Sequence, residues 1–153
     1  MSTEPEPLIR TARPDDVPRL VELLAAGSLR GGEDPSHLAP YQAALAEIAA
    51  TPGADVLVAE LGGAVVGVCQ LTTFRHLQEG GGLCAEIESV HVDPALRSRG
   101  IGGRLIEEAV ERARRAGCYR VQLTSNKSRT AAHRFYARHG FAATHEGFKR
   151  YLG

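Results

Sequence analysis

One run constrains this chain more than any other. A strand-like segment ending in Val90-His91-Val92 enters the turn Asp93-Pro94-Ala95-Leu96-Arg97-Ser98-Arg99 and passes straight into a helix at Gly100. Within Gly100 to Ala116, Ile101, Leu105, Ala109 and Ala113 form one stripe, with Ile106 and Val110 beside it, broad enough to cover a sheet. Glu108–Arg112 and Glu111–Arg115 have the favourable i,i+4 order. Gly117 suits the left-handed residue that closes a helix. A strand feeding such a helix points to an α/β chain. The helix start also presents unpaired backbone N–H groups and the positive end of the helix dipole. That is an anion site, best suited to phosphate. Gly100, Gly102 and Gly103 allow close approach to the backbone, and Arg97, Arg99 and Arg104 add positive charge.

The rest of the chain reads as alternating elements. Leu8, Ile9 and Arg10 begin a strand. Asp15 and Asp16 are expected to cap a helix carrying Val17, Leu20, Val21 and Leu24 and ending at Gly27. Residues 28–36 are a polar loop. Tyr41, Leu45 and Ile48 mark a second helix, closed by Pro52-Gly53. Val56 to Glu60 and Ala64 to Leu71 are strands joined by Gly62-Gly63, a two-residue hairpin turn that needs positive φ. Residues 75–82 form a loop, and Ala85 to Val92 alternates as a half-buried strand. Val121 to Leu123 is a short strand, Thr130 to His139 a helix, and Phe141 to Leu152 is expected to be strand with a turn near Gly147. The order predicts one α/β (α+β) domain over residues 1–153, with a central mixed, mostly antiparallel sheet flanked by helices.

Composition removes several classes. The longest apolar stretch, Ala64 to Cys69, is far below the roughly 18 residues of a membrane span. The acidic, proline-containing start lacks the basic and apolar regions of a signal peptide. Cys69, Cys84 and Cys118 are odd in number and form no CxxC pair, so they are expected to be reduced thiols in a cytoplasmic protein. No metal site is expected: HExxH is absent, and His133 and His139 point to different faces of one helix. The net charge of zero hides a split. Residues 1–96 hold 5 basic and 14 acidic side chains, net −9; residues 97–153 hold 13 and 4, net +9. Either the halves attract each other or the basic half meets a polyanion. With only 4 Phe and 4 Tyr among dispersed basic residues, no nucleic-acid partner is expected.

Two nucleotide motifs fail at the glycine turn. The third Gly of GxGxxG is replaced by Leu105, and no Gly-Lys pair exists for a P-loop. The match is Arg-x-x-Gly-x-Gly at Arg97, Gly100 and Gly102. Downstream stands Ala132-His133-Arg134-Phe135-Tyr136-Ala137-Arg138-His139-Gly140-Phe141. With these two motifs, in this order and spacing, the chain resembles the GNAT superfamily of acetyl-CoA-dependent N-acetyltransferases over nearly its whole length. The wording around Ala-His-Arg-Phe-Tyr looks most like small-molecule members such as aminoalkylphosphonate acetyltransferases. The resemblance implies acetyl-CoA as cosubstrate, contacted by Val90, His91 and Val92 and by Arg97, Ser98, Arg99, Gly100, Ile101, Gly102, Gly103 and Arg104. Many family members carry an Asn seven residues before the helix Tyr. Arg129 stands there instead, and the nearest Asn is Asn126; both are expected to contact the cofactor.

Acetyl transfer to an amine needs a neutral amine, a stabilised oxyanion and a tolerated thiolate. Glu86 and Glu88, two apart, share one strand face, and the resemblance implies a base there, with Glu88 closer to the expected thioester. It also implies the Val90 N–H as oxyanion donor, at a strand bulge, and Tyr136 as the acid for the thiolate. The expected acceptor is a small-molecule primary amine, walled by residues 28–36, 75–82 and the segment His145 to Phe148, with the protein a monomer or homodimer. Two alternatives stand beside this: a protein or peptide N-acetyltransferase, and a non-catalytic acyl-CoA-binding protein.

Overall fold

The hairpin around Gly62-Gly63 becomes the middle of a five-stranded sheet. The computed structural model describes residues 4–153. In chain order the elements are β1 (Leu8–Thr11), α1 (Val17–Gly27), α2 (Ala39–Ala50), β2 (Ala54–Leu61), β3 (Ala64–Arg75), the single turn α3 (Gln78–Gly81), β4 (Leu83–Val92), α4 (Ile101–Arg115), β5 (Cys118–Gln122) and α5 (Thr130–Arg138). The sheet order is β1-β2-β3-β4-β5. All pairs are antiparallel except β4–β5, which is parallel across the α4 crossover. The mixed, mostly antiparallel sheet read from the sequence is the one observed.

The two-residue alternation of the strands sorts their side chains to two faces. Leu57, Ala59, Cys69, Leu71, Ala85 and Ile87 meet the stripe of α4, with Ile101, Leu105, Ile106, Ala109 and Ala113 buried against them. On the opposite face, Val58, Val65 and Val68 meet Leu20 and Leu23 of α1. α5 closes the first face at its edge, with Phe135, Tyr136 and Phe141 packed on that core.

Four local expectations change. Asp16 does not cap α1 through its side chain. Residues Pro14–Asp16 form a 3-10 turn instead, and the Asp16 carboxylate accepts from the Arg13 N–H at 2.7 Å and from Arg10 at 2.8 and 3.0 Å. Arg10 is the better partner because it also reaches Glu60 at 2.9 Å, tying β1 to β2. Glu111 pairs with Arg114, one helical step earlier than expected, and Arg115 turns to Glu108 at 3.2 Å. The 75–82 segment contains the turn α3, with Glu79 and Gly80 in the left-handed region. Finally, residues 141–152 pair with no strand. Past Phe141, which packs on Tyr136, none of them is buried, and Phe148 is 92% exposed. Without a buried face nothing selects a register.

The charge split is partly internal. Arg112 of α4 reaches Asp55 of β2 at 2.9 Å, and Arg104 lies 3.6 Å from Glu6, so the basic half does meet the acidic half.

Candidate active site

The site forms where two parallel strands part. The last β4–β5 pair is Glu86 with Gln122; beyond it β4 continues with β3 alone. There the β3–β4 ladder is also interrupted. Glu88 pairs with Gln70 and His91 with Val68, leaving Ser89 and Val90 against Cys69. Ser89 lies at φ 55°. This is a β-bulge, which removes backbone groups from the ladder and re-aims them. The opening is a cleft of about 140 Å³, lined by residues 87–91 and 124–126 and by Arg129, Ala132 and Tyr136. A broader, open depression at Arg75–Gln78 lies at the end of β3 away from the glycine turn. The expected wall at 75–82 therefore does not line the cleft, because the length of β4 separates it from the bulge.

The two carboxylates on β4 have different surroundings. Glu86 accepts from Gln122 Nε2 at 3.2 Å and does not line the cleft. Glu88 is exposed and lines it. Tyr136 faces the cleft from α5, its ring against Phe135 and Phe141. Burial, above all, raises its hydroxyl pKa; the charge of Arg129 opposes this and Cys69 adds to it. Burial likewise lowers the His91 pKa, helped by Arg129 and Arg97 and opposed by Glu33, so the imidazole is neutral at pH 7. Cys69, opposite the bulge, is pushed up to about 12, mainly by burial, and stays a thiol.

The glycine turn presents an open helix start. Gly100 takes the left-handed conformation at the N-cap of α4. The first intrahelical bond there runs from the Arg104 N–H to the Gly100 carbonyl, leaving the Ile101, Gly102 and Gly103 N–H groups free. Arg97 and Arg99 are exposed and form no ion pair among the described residues, so the turn fits a pyrophosphate. Arg104 points toward Glu6 instead. Gly103 also lies close to α5: a Cβ there would fall 3.1 Å from His139, whereas one on Gly102 would meet Phe135 at an ordinary contact distance of 3.4 Å.

Two positioning residues were not singled out from the sequence. Asp93 accepts from the Ala95 N–H at 2.9 Å and from Arg19 of α1 at 2.6 Å, while Arg19 Nε donates to the Val65 carbonyl at 2.9 Å. The Ala95 N–H first, and Arg19 with it, hold the Asp93 carboxyl below the usual range. They fix the entry to the turn; the Asp-Pro step at a strand end was its sequence signal. In the β5–α5 loop, Asn126 Oδ1 accepts from the Ser128 N–H and hydroxyl at 2.9 and 2.8 Å, and the residue lines the cleft. Arg129 donates to the Gly27 carbonyl at the end of α1 rather than reaching toward the glycine turn. Among the described residues no group of three or more His, Cys, Asp or Glu is placed to hold a metal ion.

Comparison with known proteins places the chain in a family. The sequence matches the acetyltransferase (GNAT) family over residues 19–141. It is 36% identical over 101 residues to the aminoalkylphosphonate N-acetyltransferase of Salmonella typhimurium, covering 66% of this chain and 65% of that protein. It is 37% identical over 105 residues to glucosamine 6-phosphate N-acetyltransferase 1 of Oryza sativa subsp. japonica, covering 66% and 61%. The chain thus spans slightly less than two thirds of these curated relatives. A crystal structure described as a transcriptional regulator from Bacillus halodurans superposes with a TM-score of 0.91 at 36% identity, covering 95% of this chain and 99% of that one. With the family match spanning both the glycine turn and the α5 motif, the chain belongs to the GNAT acetyltransferase family.

Proposed function

We propose that the protein transfers the acetyl group of acetyl-CoA to the primary amine of a small molecule. The observation that carries this reading is the cleft at the bulge, where Glu88, Val90 and Tyr136 converge a short way along β4 from the free helix start. Coenzyme A would lay its pyrophosphate on the α4 amides, between Arg97 and Arg99, and its thioester beside the bulge. The neutral amine attacks the thioester carbonyl carbon, forming the C–N bond. The oxyanion is held by the Val90 N–H. Glu88, directly or through water, is the group that makes the arriving ammonium neutral. After attack, collapse breaks the C–S bond, the thiolate takes a proton from Tyr136, and the surplus proton on nitrogen returns to Tyr136 through water. The Gln122 contact to Glu86 favours Glu88 as the base. The lowered Asp93 and raised Tyr136 are consistent with a fixed turn and a protonated acid at pH 7.

A small acceptor is supported by the relatives, which are named for aminoalkylphosphonate and glucosamine 6-phosphate, and by the modest cleft volume. A protein acceptor would need an open groove beside a strand edge. A non-catalytic acyl-CoA-binding role would leave Glu88 and Tyr136 without a reason to face the cleft. The reading includes no nucleic-acid partner: Arg112, Arg114 and Arg115 are engaged by the protein's own carboxylates. It includes a cytoplasmic monomer or homodimer, in keeping with three free cysteines, two of them buried. Among the described residues no helix is long and apolar enough to cross a membrane. Free-thiol release from acetyl-CoA across a panel of small amines is the direct test. Turnover with one class of amine supports the reading; release with peptides alone, or with no acceptor, overturns it.

A further inference from the structure

Arg129 has surroundings of its own in this chain. It precedes α5 and lines the cleft with Tyr136. Its guanidinium donates to the Gly27 carbonyl, and His91 packs against the same residue, where a Cβ would fall 2.0 Å from Nδ1. Arg129 and His91, which both line the cleft, therefore meet at Gly27. No carboxylate pairs with Arg129 among the described residues. A guanidinium keeps its charge at all working pH and has five N–H donors, most of which remain for a ligand. A partly buried cation without a counter-ion is unfavourable, and it repels an acceptor that arrives as a bare ammonium. Both costs vanish if the acceptor brings an anion.

We propose that Arg129 selects acceptors whose primary amine is joined by a short linker to an oxyanion such as phosphonate, phosphate or carboxylate. The oxyanion binds the guanidinium fork, and the amine faces Glu88 at the bulge. This rests on the acetyl-transfer reading of the cleft and adds the acceptor's second charge.

The test compares wild type with Arg129→Gln, which keeps a donor for Gly27, and Arg129→Lys, which keeps the charge, each checked for native circular dichroism and Tm. 2-Aminoethylphosphonate and propylamine are titrated calorimetrically into protein saturated with coenzyme A, and both are assayed for thiol release. Wild type should bind the phosphonate about tenfold or more tighter than propylamine, by charge-assisted hydrogen bonding. Arg129→Gln should lose that preference with acetyl-CoA KM unchanged, and Arg129→Lys should retain part of it. A wild type that binds both amines equally, or neither, overturns the proposal, as does an Arg129→Gln that keeps the preference. Weakened acetyl-CoA binding in Arg129→Gln, with the preference intact, assigns the residue to the cofactor instead. A calorimetric preference that depends on Arg129, without thiol release from either amine, upholds the selectivity and overturns the acetyl-transfer reading.

Discussion

The two halves of β4 are built from the same kind of sequence and have opposite uses. From Leu83 to Glu86 the strand is paired on both sides, to β3 and to β5, and Cys84 and Ala85 are fully buried. From Ile87 onward β5 has diverged, the ladder bulges at Ser89-Val90, and Glu88 and Ser89 are exposed. The first half secures the strand so that the second can leave its backbone groups unpaired. The bulge that lines the cleft is thus anchored by its own strand, while the opposite wall comes from the β5–α5 loop and α5.

One chemical change placed in each half should break this contrast most sharply. Ala85→Asp puts a carboxylate into the α4-facing core, and a loss of more than about 4 kcal/mol is expected, enough to prevent folding. Ser89→Asp places the same group on exposed, left-handed backbone that Asp tolerates, so stability should change by about 0.5 kcal/mol or less. Urea denaturation measures both; similar losses would mean that the halves do not differ. Next come the two carboxylates. Glu88→Gln should lower kcat/KM about 100-fold at pH 7, with the defect shrinking as pH approaches an alkylamine pKa of about 10.4. Glu86→Gln, already engaged by Gln122, should stay within about threefold. A pH profile with the order reversed would move the base to the paired half.

Tyr136→Phe removes only a hydroxyl from the open half, and a roughly tenfold fall in kcat with unchanged acetyl-CoA affinity is expected. Retained kcat would leave thiolate protonation to solvent. The smallest effect belongs to the far edge of the sheet, at β1. Arg10, by hydrogen bonding, holds the folded Asp16 carboxyl below its usual value. That stabilisation is complete above the ordinary carboxylate pKa of about 3.9 and is lost as pH falls through the lower folded value. Asp16→Asn should therefore cost about 1 kcal/mol at pH 7, with the difference from wild type narrowing in acid. A pH-independent difference would show that the pair acts through packing alone. In the same titrations kcat should not follow Asp16, which lies outside the cleft.

Much of this was legible locally. The α4 stripe, the Gly62-Gly63 hairpin and the spacing of the two motifs are periodic or punctuated by glycine, and they emerged as read. The Phe141 to Leu152 segment misled because strand-like composition without a buried face does not choose a partner. Only the expected position of the thioester put Glu88 ahead of Glu86, since alternation reports a face but not whether a neighbouring strand is still there. Gly103 reads in the sequence as room for a ligand alone, yet a side chain there would also press on His139 of the next helix.

The sequence by itself determined the order of the elements from β1 to α5 apart from the turn α3, the open glycine-rich helix start and the residue types available for acid–base chemistry, because these depend on periodicity and on backbone freedom within a few residues. Only the tertiary structure decided where β5 leaves β4, which carboxylate is thereby exposed, that Asp93 is fixed by Arg19, and that Arg129 turns to Gly27 rather than to the phosphate turn. Those are contacts between residues 36 to 102 positions apart. They are set by how the two faces of the sheet are covered, and no local pattern encodes that.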